Sequence, residues 1–276
     1  MAETGSADGA GTTSGSPATA RNSERSAWPS PSEGTAAVGL VAFAFYVATV
    51  APAPYLLDSA ELAAASFGLG IAHPPGEPLA LLLGRLFTLF PLGSVAFRVG
   101  LLQACAGAIA AALTHRLAGK LIAALDPAEV LGRWGRQALS ATAGLGFALA
   151  PGALISANRP EVYALGAALA LAAVCLAHAA DTPALDGNRD QDAEADPRPL
   201  LLAAMLVGAG LGNHPLIAGL AGVGAVAFGV VVWLRCPGAR LRLGLAAIAA
   251  FVVGALVLLY LPARGFALAA AGNADA

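Results

Sequence analysis

Charge is what this sequence has least of. Charged residues make up 12% of its 276 residues and hydrophobic ones 58%, where soluble domains carry about twice that share of charge. Much of the charge is confined to residues 1–35 and 181–199, so the remainder is poorer still. That scarcity excludes an ordinary soluble domain. Cysteine is nearly as scarce: Cys105 and Cys175 fall inside apolar segments and Cys236 in a short basic loop. They show neither metal spacing nor a disulfide framework and read as small apolar fillers. There is no phosphate-binding glycine loop, no zinc motif and no internal repeat. The net charge of −2 and the lack of a basic, aromatic-studded surface give no reason to expect a nucleic-acid partner.

Long apolar runs are what the sequence has instead. They predict an all-α integral membrane protein, since helices satisfy their own backbone where lipid offers no partner. Residues 1–35, rich in Gly, Ser, Thr, Ala and Pro, cannot bury a core and read as a disordered tail. The apolar segment after them starts too late and runs too long for a signal peptide. At about 20 residues per crossing, residues 36–276 divide into seven spans. These are Thr35–Tyr55, Arg98–Ala118, Gln137–Ala157, Glu161–Ala180, Pro199–Pro215, Leu216–Leu234 and Leu243–Pro262. Pro78–Phe90 is apolar but short and contains Arg85, so it is expected to lie in the interface as an amphipathic helix.

Orientation follows from the basic residues. With the N-terminus cytoplasmic, that side holds Arg21, Arg25, Arg116, Lys120, Arg133, Arg136, Arg189, Arg198, Arg235, Arg240 and Arg242. The far side holds Arg85, Arg98, Arg159 and Arg264, which is a positive-inside bias. The acidic loop 181–199 is then cytoplasmic. Asp58, Glu61, His73, Glu77, Arg98, Asn158, Arg159, Glu161, Asn213, His214, Arg264, Asn273 and Asp275 all fall on the outer side. Charge near lipid is costly and is usually kept for function. A cluster at one surface suits an active site better than a transport path, which places polar groups near the midplane on broken helices.

Several of these residues have structural readings as well. Asp58-Ser-Ala-Glu61 fits a capping box. His73-Pro74-Pro75-Gly76 fits a rigid turn. Arg98 fits a snorkelling helix-end anchor, and Arg159 and Arg264 fit interface anchors. Glu61 and Glu77 fit solvated loop charges. Asn213-His214-Pro215 fits a helix stop. The glycines Gly208, Gly210, Gly212, Gly219, Gly222 and Gly224 fit close helix packing.

Asp58-Ser-Ala-Glu-Leu62, Leu69-Gly-Ile-Ala-His-Pro-Pro-Gly76 and Ala96-Phe-Arg-Val99 resemble the start of a bacterial family of multi-spanning proteins of unknown function. That family is related to protein O-mannosyltransferases, within the GT-C class of polyprenyl-phosphate-sugar-dependent glycosyltransferases. Arg159-Pro-Glu-Val-Tyr163, Gly210-Leu-Gly-Asn-His214 and Tyr260-Leu-Pro-Ala-Arg264 follow in the expected order. Glu77 departs from the pattern, where an aromatic residue is more usual. The family also normally continues beyond the point where this sequence stops, so a truncated or minimal version is expected.

The resemblance implies a GT-C-like membrane glycosyltransferase in the bacterial inner membrane with its active site outside. It would move a mannose-like sugar from a polyprenyl-phosphate donor to a protein or glycan hydroxyl. Asp58 is implied as the general base for the acceptor. Glu61, one turn on, would orient the acceptor or raise the pKa of Asp58. Arg159 and Arg264 would meet the leaving phosphate, with His73 or His214 as hydrogen-bond donors, and Glu161 accompanies Arg159. No cofactor and no metal are expected, because a monophosphate donor needs little charge neutralisation; an Asp58/Asp275 metal pair stays open. The other functions left open are a transporter or lipid-handling protein and a non-catalytic assembly partner.

Overall fold

Proline opens many of the helices of this chain. It occupies the first turn of Pro78–Thr88, Pro151–Ala157 and Arg198–Leu211, and it begins Pro31–Thr49 and Pro215–Arg235. There its missing N–H costs nothing and its fixed φ suits the helix. The computed structural model describes residues 31–55, 57–181, 196–235 and 238–274. The helices are α1 (Pro31–Thr49), α2 (Ser59–Gly68), α3 (Pro78–Thr88), α4 (Val95–Leu125), α5 (Gly132–Leu149), α6 (Pro151–Ala157), α7 (Tyr163–Asp181), α8 (Arg198–Leu211), α9 (Pro215–Arg235), α10 (Arg240–Ala255) and α11 (Tyr260–Ala274). A 3-10 turn, Leu256–Leu259, joins the last two. Among the described residues there is no strand. Residues 1–30 of the predicted tail, most of the acidic loop, Cys236 and Asp275 lie outside the described residues; residues 31–35, expected in the disordered tail, instead form the start of α1, where Pro31 opens the helix.

Five helical stretches are long and apolar enough to cross a bilayer: Ser32–Thr49, Val95–Leu125, Tyr163–Ala180, Pro215–Arg235 and Arg240–Gly272. The pair α5 and α6, bent by 61°, makes a sixth if counted as one span. The bend sits at Ala150, which Pro151 forces into an extended conformation with ψ 134°. The chain is therefore an all-helical integral membrane protein.

The expected boundaries shift in three places. The first span stops at Thr49 and not at Tyr55. The segment expected to cross as Pro199–Pro215 is the 14-residue α8, roughly 21 Å long, where a hydrocarbon core is about 30 Å. The last run passes through Pro262, which the first turn of α11 accommodates. At 11 residues α3 is too short to cross, in keeping with its composition.

Packing relies on small residues. Helix α4 is the hub, lying against α1, α5, α7 and the short α3. Its inward face includes Ala104, Ala106, Ala108, Ala110 and Ala111. Helices α8 and α10 touch through their backbones: a Cβ on Gly208 would stand 2.0 Å from the Phe251 carbonyl oxygen. One on Gly254 would stand 2.0 Å from that of Met205. Only glycine permits that approach. Gly208 meets the packing expectation, whereas Gly219 faces open space. On the outside, Leu245, Ile248 and Val252 of α10 are exposed, as suits residues facing lipid.

The helix directions bring several connections to one end of the bundle. The segment 50–94, the 158–162 link, the 212–214 turn and the start of α11 all meet there. Ala51 N–H donates to the Asn158 carbonyl at 2.8 Å, and Leu79 N–H to that of Gly212 at 2.7 Å. The Asn213 amide donates to the Val162 carbonyl at 2.9 Å. The loop after Leu125 lies at the other end of α4.

Candidate active site

Three short elements present the polar residues at the first end. Helix α2 follows Asp58, a turn carries His73 to Gly76, and α3 begins at Pro78. The His73 carbonyl accepts the Gly76 N–H at 2.7 Å, closing the turn. Gly76 has φ +93°, and a Cβ there would stand 2.7 Å from Leu261 Cδ2, so glycine is required twice over. Three of the four described non-glycine residues with positive φ flank this site: Leu57, Leu69 and Glu77. Such conformations cost on the order of 1–3 kcal/mol each and tend to gather at functional sites.

Within this frame the capping box does not form. Asp58 precedes α2 but makes no side-chain cap bond. Glu61 turns to His73 instead, accepting its backbone N–H at 2.7 Å and its Nδ1 at 3.0 Å. With a carboxylate oxygen as its partner, Nδ1 is the donor of this bond, and Nε2 faces the rest of the cluster. From Nε2, Asp58 Oδ2 and Glu77 Oε1 each stand at 3.9 Å. The side chains of Asp58 and His73 are half-exposed, while Glu77 is 4% exposed. Glu77 is thus no solvated loop charge; one of its oxygens, Oε2, is buried with no hydrogen-bond partner.

Behind this group lies a second pair. Arg159 and Glu161 are both buried and meet at 3.0 Å. Burial raises the Glu77 carboxyl to about 7, with the His73 charge opposing and those of Asp58, Glu161 and Glu61 adding. Burial likewise raises Glu161 against the pull of Arg159, and Asp58 contributes to the rise. His73 is raised above the ordinary histidine value, chiefly by its hydrogen bond to Glu61. The two groups therefore form one electrostatic unit, rich in carboxylates.

The other residues singled out by sequence do different work. Arg264 donates to the carbonyls of Leu69 at 2.5 Å and Gly68 at 3.2 Å, binding the C-terminal end of α2. The Tyr260 hydroxyl holds the next carbonyl, Gly70, at 2.7 Å. Arg98 donates to the carbonyls of Thr88 and Gly93, and Arg85 to that of Phe67. The His214 ring packs on Tyr163 at 5.4 Å, and its Nδ1 is buried without a partner. Asn213 is fully buried at the α8–α9 turn.

An apolar groove of about 580 Å³ runs between α8, α9 and α10, lined by residues including Leu211, Ala218, Gly222, Val226, Trp233 and Phe251. Leu211 immediately precedes Gly212, whose carbonyl accepts from Leu79, two residues beyond Glu77.

Comparison with known proteins matches this same region. Residues 58–235 fit the family model described as "Protein O-mannosyl-transferase TMEM260 N-terminal domain", and the match opens on Asp58. Over 57 residues the chain is 60% identical to protein O-mannosyl-transferase TMEM260 of Mus musculus, a stretch covering 20% of this chain and 8% of the mouse protein. No solved structure matches. Because the family match covers more than half of its length, the chain belongs to the TMEM260 N-terminal domain family of protein O-mannosyl-transferases.

Proposed function

We propose that this chain is a GT-C-like membrane glycosyltransferase. It moves a mannose-like sugar from a polyprenyl-phosphate donor to a protein or glycan hydroxyl at the outer face of the membrane. In this reading the N-terminus is cytoplasmic, and α8, shorter than a full crossing, is the seventh apolar segment of the bundle. The observation that carries the proposal is the state of Asp58. Its carboxylate is half-exposed and makes no helix-cap bond, and it stands in a cluster with Glu61, His73 and Glu77 in a chain of this family.

The acceptor hydroxyl loses its proton to Asp58 as its oxygen bonds to the anomeric carbon. The bond from that carbon to the phosphate oxygen breaks, and polyprenyl phosphate leaves with the electron pair. Glu61 holds His73 in place, and Arg159 supplies positive charge near the departing phosphate. Glu161 holds Arg159. Arg264, occupied with two backbone carbonyls, supports the loop instead of the phosphate. The apolar groove beside Leu211 offers a path for the polyprenyl chain, with its end close to α3.

The test is transfer of radiolabelled sugar from polyprenyl-phosphate mannose to an acceptor extract in proteoliposomes. Label appearing with wild type and falling about 10²-fold or more with Asp58→Asn supports the reading. Equal transfer by the two proteins removes Asp58 as the base.

A further inference from the structure

Glu61 engages one ring nitrogen of His73 and leaves the other facing Asp58 and Glu77. We propose that Asp58, His73 and Glu77 bind one divalent transition-metal ion, through His73 Nε2 and the two carboxylates, with Glu61 orienting the imidazole. No sequence spacing announces this set; only the turn 73–76 brings it together, and it revises the expectation of a metal-free site.

Four observations converge. First, Glu61 accepts from His73 at both the backbone N–H and Nδ1. A carboxylate on one ring nitrogen, fixing the tautomer and freeing the other, is the usual outer support of a metal-bound histidine. Second, Nε2 stands 3.9 Å from Asp58 Oδ2 and 3.9 Å from Glu77 Oε1. That is too long for a hydrogen bond, whereas atoms sharing an ion at about 2.0–2.2 Å each stand roughly 3–4 Å apart.

Third, Asp58 and His73, two of the three proposed ligands, belong with Glu61 to a group whose ligand atoms lie within 4.8 Å of one another. Fourth, and independently of the acidic cluster, Glu77 is 4% exposed and its Oε2 has no hydrogen-bond partner. A carboxylate so buried is costly unless a cation or donor meets it. Arg159, the buried cation of this end of the bundle, is paired with Glu161.

The donor set narrows the ion. One imidazole with carboxylate oxygens suits zinc or manganese, while calcium and magnesium prefer oxygen alone. The half-exposed side chains of Asp58 and His73 leave coordination positions open to solvent, as in a reactive site and unlike a closed structural one. Such an ion could meet an anionic oxygen of a bound substrate. The proposal does not rest on the transfer reading, because its test reads bound ion and not turnover.

The experiment uses the full chain in detergent, stripped with a chelator, then titrated with Mn2+ while free Mn2+ is followed by electron paramagnetic resonance. The expected result is one saturable site per chain, displaced by Zn2+. His73→Asn and Glu77→Gln should each weaken it by about 10-fold or more, and Glu61→Gln by about 10- to 100-fold. Asp126→Asn, at the far end of α4, should leave it unchanged. A thermal unfolding curve confirms that each variant is folded; should Glu77→Gln fail, the half-exposed His73→Asn decides. Absence of a saturable site overturns the proposal, as does a site that either folded variant leaves unmoved.

Discussion

At the end of α4 that follows Leu125, Asp126 is fully engaged. It accepts Val130 N–H at 2.8 Å, Leu131 N–H at 3.1 Å and Arg136 Nε at 3.1 Å. Arg136 also donates to the Asp126 carbonyl at 2.8 Å. At the other end, beyond Ser94, Asp58 makes no cap bond. Glu77 keeps a buried oxygen without a partner, and so does Arg159 at its Nε. The titrations diverge accordingly. Burial would raise Asp126, but the bonds from Arg136, Leu131 and Val130 outweigh it and hold the carboxyl below its usual value. Glu77, lacking such donors, is raised to about 7. Satisfied charge closes a loop, whereas unsatisfied charge held by a strained turn is available to a ligand.

Substitutions can break this contrast, beginning with the strongest. Arg159→Ala leaves Glu161 buried and alone, and should cost about 3–5 kcal/mol in denaturant unfolding, with loss of transfer. Replacing both residues by apolar ones should restore much of the stability and none of the transfer. Arg264→Ala frees the carbonyls of Gly68 and Leu69 and should cost about 2 kcal/mol. Transfer should fall less than with Asp58→Asn, because Arg264 holds the loop and not the substrate. Arg136→Ala should lower the unfolding temperature by a few degrees and leave transfer unchanged, as measured on the same preparation.

The smallest effect is in pH. Asp126 has a depressed folded-state pKa, so its contribution is present above the unfolded carboxylate value of about 3.9 and fades as pH falls through the folded value. The difference in unfolding temperature between wild type and Arg136→Ala should be full at neutral pH. It should shrink steadily below about pH 4. A difference that stayed constant through this range would show that Arg136 acts by packing alone.

Hydropathy made the membrane character and most of the long helices legible, because a crossing is a local property of about 20 residues. It placed the break at Asn213-His214-Pro215 where the structure has it, but gave α8 a full crossing that its 14 residues do not reach, and it ended the last span at Pro262, which sits in the first turn of α11 with the helix continuing beyond it. The polar loop was legible too, since Asp58, Glu61 and His73 are close in sequence and costly near lipid. Their partners were not. Arg264 reads as a phosphate ligand until the fold delivers it to the carbonyls of Leu69 and Gly68. Glu77 reads as a solvated charge until Pro78 and the turn before it bury its side chain. The rigid Pro-Pro-Gly turn directly before it was the available signal. A cation's partner, or a carboxylate's burial, is settled by chain segments far away, which no local pattern records.

The measurement that tests the account most directly sets Asp58→Asn beside Asp126→Asn, each assayed for sugar transfer in proteoliposomes and for thermal unfolding. Asp58→Asn should lose transfer and keep its unfolding temperature, and Asp126→Asn should do the reverse. Transfer surviving in Asp58→Asn, with its stability lowered, would contradict it and make Asp58 a structural residue like Asp126.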